Sequence, residues 1–216
     1  MTDAMKGEID GFAYRFEPGG VAAPPLLLLH GTGGDENDLV PLGRELAPGR
    51  ALLSPRGRVL EAGMPRFFRR LAEGVFDEAD LTAQAAALAG FVAAARQRHG
   101  LAAPVALGFS NGANIAAALL LLHPGLLAGA ALLRAMPPLR QPPSPDLAGT
   151  PVLLLSGSHD PIVPAAGSAA LAATLSAAGA RVAHHNLPAG HGLTRMDLAL
   201  TQKWLEAGAR DAVAEG

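Results

Sequence analysis

The chain has 216 residues, enough for one domain with a full hydrophobic core, and its 50% hydrophobic and 17% charged content is that of a globular rather than a disordered protein. A formal net charge of −2 gives no electrostatic reason to expect nucleic acid or an anionic membrane as partner. The absence of cysteine excludes disulfides, thiolate metal sites and a cysteine nucleophile, and leaves a small soluble molecule as the default partner.

Met1 to Gly20 carries Asp3, Glu8, Asp10 and Glu17 and no apolar centre, so it is not read as a signal peptide; a polar strand is expected over Gly11–Glu17. Leu26–His30 is the first short, continuously apolar run, and it empties into His30-Gly31-Thr32-Gly33-Gly34. A helix over Glu36–Leu46 and a strand over Ala51–Ser54 follow. A long connection, Pro55–Asp80, then leads to an alanine-rich helix over Leu81–Arg98 with Asp80 as its expected N-cap. Strand Val105–Phe109, helix Gly112–Leu122 and strand Ala128–Leu133 come next. The apolar stretch Ile115–Leu133 is broken by His123, Pro124 and Gly125, and each half is too short to cross a bilayer, which takes about 20 residues. Met136–Thr150, with five prolines, reads either as a pocket wall or as a stiff surface connector. Strand Val152–Ser156, helix Gly167–Ala178, a more polar edge strand Arg181–Asn186 and helix Thr194–Ala207 complete the pattern, with a frayed tail expected over residues 207–216. Strands apolar on both faces that alternate with helices specify a mostly parallel, doubly wound α/β sheet in one domain. The expected compartment is the cytoplasm; the oligomeric state stays open, a homodimer included.

Gly108-Phe109-Ser110-Asn111-Gly112 has the G-x-S-x-G form of a nucleophile elbow. Its setting is the one the motif requires, an apolar strand running in and an Ala/Leu helix running out. The glycines are needed because the serine sits on a sharp, strained strand-to-helix turn whose neighbours leave no room for side chains. The amide of Asn111, at the start of the helix, is aimed where an oxyanion would form. A nucleophilic serine needs a base and the base an orienting acid, in the chain order Ser…Asp…His. Asp160 follows the strand Val152–Ser156, and His191, between Gly190 and Gly192, follows Arg181–Asn186. All three therefore fall at one edge of the sheet, the carboxyl edge where α/β sheets place their sites. Thr32, in the glycine-rich loop after the first apolar strand, is the candidate for a second oxyanion amide; the same glycines lack the G-K-[ST] of a phosphate loop.

The segments HGTGGDENDLVPL, SPRGRVLEAGMPRFFRRLAEGVFDEADL, GFSNGANIAAALLLLHP, GSHDPIVP and GHGL resemble the phospholipase/carboxylesterase family of small α/β-hydrolases without a large cap domain. The nearest likeness is to its bacterial branch of quinone- and copper-inducible hydrolases, the MhqD and YahD type, for which the long second segment is the specific marker. The resemblance implies Ser110, Asp160 and His191 as the triad, the amides of Thr32 and Asn111 as the oxyanion hole, and hydrolysis of short-acyl esters without metal or cofactor. A thioesterase or lysophospholipase acting on longer chains is the alternative, made less suitable by the polar Thr32 where acyl-protein thioesterases carry a Leu-Gly-Asp loop. A non-catalytic binding module is a third reading, against which the intact triad argues.

Substrate contacts are expected from the long connection, with Met64, Arg66, Phe67, Phe68 and Phe76 as candidates. Were it helical, Arg66, Arg69 and Arg70 would share a face and could grip a substrate carboxylate. The competing reading pairs the arginines with Glu61, Glu73, Asp77 or Glu78 and uses the phenylalanines to pin the loop to the core. His30 is expected either to brace the oxyanion loop or to be a plain buried turn residue. Adjacent His184 and His185 point to opposite faces of a strand and do not suit joint metal ligation. His99 and His123 sit at helix ends, His159 lies beside Asp160, and Asp197, a competing triad acid near His191, is expected on a helix surface.

Overall fold

The computed structural model describes residues 4–214, with side chains described to residue 208. The chain opens with a hairpin of β1 (Met5–Ile9) and β2 (Phe12–Glu17), then β3 (Leu26–Leu29), α1 (Val40–Leu46) and β4 (Leu52–Pro55). Two short hairpins follow, β5 (Val59–Glu61) with β6 (Met64–Arg66) and β7 (Arg70–Ala72) with β8 (Val75–Phe76). The remaining elements are α2 (Glu78–His99), β9 (Val105–Phe109), α3 (Asn111–Leu122), β10 (Gly129–Leu133), β11 (Pro151–Gly157), α4 (Ala165–Ala177), β12 (Arg181–Leu187) and α5 (Arg195–Ala214).

Eight strands form one sheet in the order β1-β2-β4-β3-β9-β10-β11-β12, parallel from β4 to β12 and antiparallel only where β2 meets β1 and β4. This is the expected doubly wound α/β sheet, extended by β1, which the sequence did not disclose. Its first four residues, Met5 to Glu8, are exposed, so no apolar alternation marks it.

The sheet is buried because its strands alternate between two apolar layers. Leu27 and Leu29 pack with α2, α3 and α4, while Leu26 and Leu28 pack with α1 and α5. All four leucines are fully buried, each contributing about 1.5–3 kcal/mol of transfer free energy. α3 crosses the middle of the larger layer, buried from Asn111 to Leu121, and so fixes the site that its N-terminus carries.

Two expectations need correction, and one conditional reading falls away. The long connection, read as a loop, holds two hairpins and no helix, so Arg66, Arg69 and Arg70 do not share a helical face. The N-cap of α2 is Asp77, which accepts the Asp80 N–H at 3.1 Å, while the Asp80 carboxylate is taken by the Arg69 amide at 2.7 Å. Helix α5 runs on to Ala214 where a frayed tail was expected; residues 215–216 lie outside the described residues. No helix among the described residues is long and apolar enough to cross a membrane.

Candidate active site

Four parallel strands deliver the candidate residues to one edge. β9 ends at Phe109 and hands the chain to Ser110; β11 ends shortly before Asp160, β12 before His191, and β3 before the loop that holds Thr32. Ser110 has φ 53° and ψ −114°, a left-handed backbone that a non-glycine residue adopts at a cost. The turn is held by the Ser110 N–H donating to the Leu133 carbonyl at 2.9 Å and by the Asn114 N–H donating to the Ser110 carbonyl at 3.0 Å. It closes only over glycines: a Cβ at Gly108 would lie 2.6 Å from the Gly112 carbonyl oxygen, and one at Gly112 would run into the Leu29 carbonyl of the next strand.

His191 joins the other two side chains. Its Nε2 lies 2.9 Å from Ser110 Oγ and its Nδ1 2.8 Å from Asp160 Oδ2. An ionised carboxylate only accepts, so Nδ1 carries the proton and Nε2 is left to accept the Ser110 hydroxyl. Burial of Asp160 would by itself raise its pKa; the amide of Val163, the His191 ring and the amide of Ile162 outweigh it and hold the carboxyl below its ordinary value. Those amides donate to Oδ1 at 3.0 and 2.8 Å, leaving Oδ2 for histidine. The Asp160 side chain is fully buried while that of His191 is 21% exposed, and His191 lines the cavity where Asp160 does not.

Asp197 is not that partner, nor is it on the surface. It is completely buried and paired in bidentate fashion with Arg134, Nη1 to Oδ1 at 2.7 Å and Nη2 to Oδ2 at 2.9 Å. Arg134 also donates from Nε to the Gly190 carbonyl at 2.9 Å and from Nη2 to the Gly192 carbonyl at 3.1 Å. One buried guanidinium thus clamps both glycines that flank His191. Sequence reasoning passed over Arg134; a lone charge closing the apolar run Gly129–Leu133 was the available signal.

The Thr32 loop is tied on its far side, where Gly33 N–H donates to the Pro65 carbonyl at 2.9 Å and Gly34 N–H to Gly31 at 3.1 Å. His30 is both buried and structural. Its Nε2 accepts the Gly57 amide at 2.9 Å, which places the proton on Nδ1 for donation to the Gly31 carbonyl at 2.6 Å. Burial, the largest influence, lowers its pKa and keeps the ring neutral. His159 is exposed and outside the cavity, and among the described residues no cluster of three or more His, Cys, Asp or Glu could hold a metal.

A cavity of about 250 Å³ opens beside Ser110, and its lining combines Thr32, Asn111 and Asn114 with the apolar Phe76, Phe109, Met136, Ile162 and Val163. Of the expected substrate contacts, Arg66 and Phe76 line it, together with Arg70. Phe67 and Phe68 do not: they are 2% and 0% exposed and pin the loop to the core, Phe67 against His30 and Phe68 edge-on to Phe76. Met64 is exposed beside Gly33 and stands outside the lining. Met136 enters as the first residue of the proline-rich connection, its N–H held by Asn114 Oδ1 at 3.0 Å, so that segment supplies a pocket wall at one end.

A family profile described as Phospholipase/Carboxylesterase matches residues 17–208. The hydrolase MhqD of Bacillus subtilis is 45% identical over 181 residues, which are 83% of this chain and 90% of MhqD. The crystal structure of the Bacillus cereus carboxylesterase superposes with a TM-score of 0.87 at 43% identity, over 89% of this chain and 92% of that one. The structure of YahD with malic acid gives 0.87 at 30% identity, over 91% and 99% of the two chains.

Proposed function

Because the chain belongs to the phospholipase/carboxylesterase family, we propose that it is a serine carboxylesterase that hydrolyses short-acyl carboxylic esters through an acyl-Ser110 intermediate. The observation that carries the reading is the continuous hydrogen-bonded line Asp160–His191–Ser110, whose last two members line a small cavity. His191 Nε2 takes the hydroxyl proton as Ser110 Oγ attacks the ester carbonyl carbon. Negative charge gathers on the carbonyl oxygen, where the amide of Asn111 at the N-terminus of α3 and the amide of Thr32 stabilise it. Removing one such donor typically costs about 2.7–4 kcal/mol of transition-state stabilisation. The tetrahedral intermediate collapses, the C–O bond to the alcohol breaks, and His191 returns its proton to the departing oxygen. Water, deprotonated by His191, then attacks the acyl carbon and releases the acid and the free serine. Asp160 keeps the proton on Nδ1 throughout and stabilises the imidazolium formed in each half.

A cavity of about 250 Å³ lies below the usual range for drug-sized ligands, roughly 300–1,000 Å³, which supports short acyl groups over long ones. The test is a p-nitrophenyl ester series from acetate to palmitate with wild type and Ser110→Ala side by side. Rates concentrated at short chains and abolished in the variant, with fluorophosphonate labelling lost in parallel, are expected. Equal rates in the two proteins would remove Ser110 from the mechanism.

A further inference from the structure

The wall of the cavity carries Arg66 and Arg70 and no carboxylate. Both guanidinium groups lean on a single acid outside the lining: Glu61 Oε2 lies 3.2 Å from Arg66 Nε, and Glu61 Oε1 lies 2.7 Å from Arg70 Nη2. Two positive charges against one negative leave this wall electropositive. Arg66 is 3% exposed, and its further partners are neutral oxygens, the Thr32 hydroxyl at 2.8 Å and the Phe68 carbonyl at 3.1 Å. Burial lowers its pKa, Glu61 opposes that and Arg70 adds to it, yet a guanidinium stays charged at neutral pH. Arg69 shows what a loop-pinning arginine looks like here: it is largely exposed and held by Asp77 and Asp80.

A second observation comes from the same lining. Asn111 Oδ1 accepts the Phe67 amide at 2.8 Å, which fixes the orientation of its amide group. Its Nδ2 is buried and donates to nothing, the one buried side-chain polar atom among the described residues left without a partner. An unsatisfied buried donor is costly, and a ligand acceptor is what would relieve it.

We propose that the substrate is a short ester bearing a free carboxylate, a half-ester of a small dicarboxylic acid being the simplest, with that carboxylate held against Arg66 and Arg70 and an oxygen of the ligand accepting from Asn111 Nδ2. The proposal rests on the esterase reading above and adds the chemical class. Arginine recognises carboxylates through paired N–H donors, and in a partly desolvated cavity such contacts are stronger than at a surface.

The experiment compares kcat/KM for monoethyl succinate with its neutral isostere ethyl succinamate. Wild type is expected to favour the half-ester by at least about tenfold, and Arg70→Gln to reduce that ratio by about tenfold, the scale of one charge-assisted contact. Turnover of the neutral ester with no preference for the anion would overturn the proposal and leave ester hydrolysis standing. Calorimetry on Ser110→Ala decides the point without turnover. Succinate is expected to bind at least about tenfold tighter than succinamide, an advantage removed in Ser110→Ala/Arg70→Gln. Equal binding of the two overturns the proposal, whereas a succinate preference in a protein that hydrolyses neither ester upholds the anion site and sinks the esterase reading.

Discussion

Arg134 and Asp197 form a fully buried bidentate ion pair across 63 residues of sequence, and the same guanidinium holds the carbonyls on both sides of His191. The backbone of Arg134 has φ 62°, so the chain bends unfavourably to put the side chain there. Burial raises the pKa of Asp197, and Arg134 and Thr194 more than reverse this, leaving it ionised. Thr194 N–H and Oγ1–H both donate to Asp197 Oδ2, at 2.7 and 2.8 Å, in a capping-box arrangement that joins the His191 loop to α5.

Removing only one partner strands a charge in the core. Arg134→Met is therefore expected to lower unfolding free energy by about 3–5 kcal/mol, measured by urea denaturation. Arg134→Met/Asp197→Leu should recover part of that loss, because no unpaired charge remains. Additive losses in the double variant would mean that the pair is not a coupled unit.

This pair also marks where sequence reading stops. Leu26–Leu29 and Val105–Phe109 were legible as buried parallel strands because every position is apolar. Ser110, Asp160 and His191 were legible as site candidates because each follows a strand at a glycine- or proline-punctuated turn, the strand before His191 being the more polar edge strand. Arg134 and Asp197 carry no signal of their pairing: one directly follows a strand, the other lies in the first turn of a helix, and only the sheet order brings them together. The β5–β8 hairpins were missed for a related reason. Their strands are two or three residues long, too short for an alternation to register.

The elbow makes a steric prediction. Gly112→Ala puts a methyl group onto the Leu29 carbonyl, a backbone atom of the central sheet that cannot rotate aside. Overpacking of a rigid site costs about 1–3 kcal/mol or more. Esterase activity is expected to fall further than stability does, since the displaced element carries Ser110. A variant with wild-type activity and melting temperature would contradict the close approach of α3 to β3.

His30 gives a pH signature. Its folded pKa is depressed, chiefly by burial, while the unfolded chain takes up a proton near pH 6.5. The stabilisation it supplies is thus complete above about pH 6.5 and is lost as pH falls toward the folded value. Unfolding free energy measured from pH 7.5 to 5 should fall less steeply in His30→Gln than in wild type. Identical slopes would show that His30 protonates as easily folded as unfolded.

Asp160→Asn tests whether the acid acts by fixing a tautomer. Asparagine keeps the shape of the side chain, and its Oδ1 can still accept from the amides of Ile162 and Val163, which bond the aspartate at 2.8 and 3.0 Å. The atom then facing His191 Nδ1 is an NH₂ donor, so the ring must turn Nδ1 into an acceptor and carry its proton on Nε2. A protonated Nε2 cannot accept the Ser110 hydroxyl, and kcat is expected to fall by about 10³–10⁴-fold with the fold intact. Asp197 cannot take over, because both its carboxylate oxygens are engaged by Arg134. Single-turnover acylation with p-nitrophenyl acetate, followed from pH 6 to 9, separates this from simple misfolding. A uniformly slow acylation step in a protein with the wild-type melting temperature is the expected result, and near-normal acylation would show that the Asp160–His191 contact orients nothing.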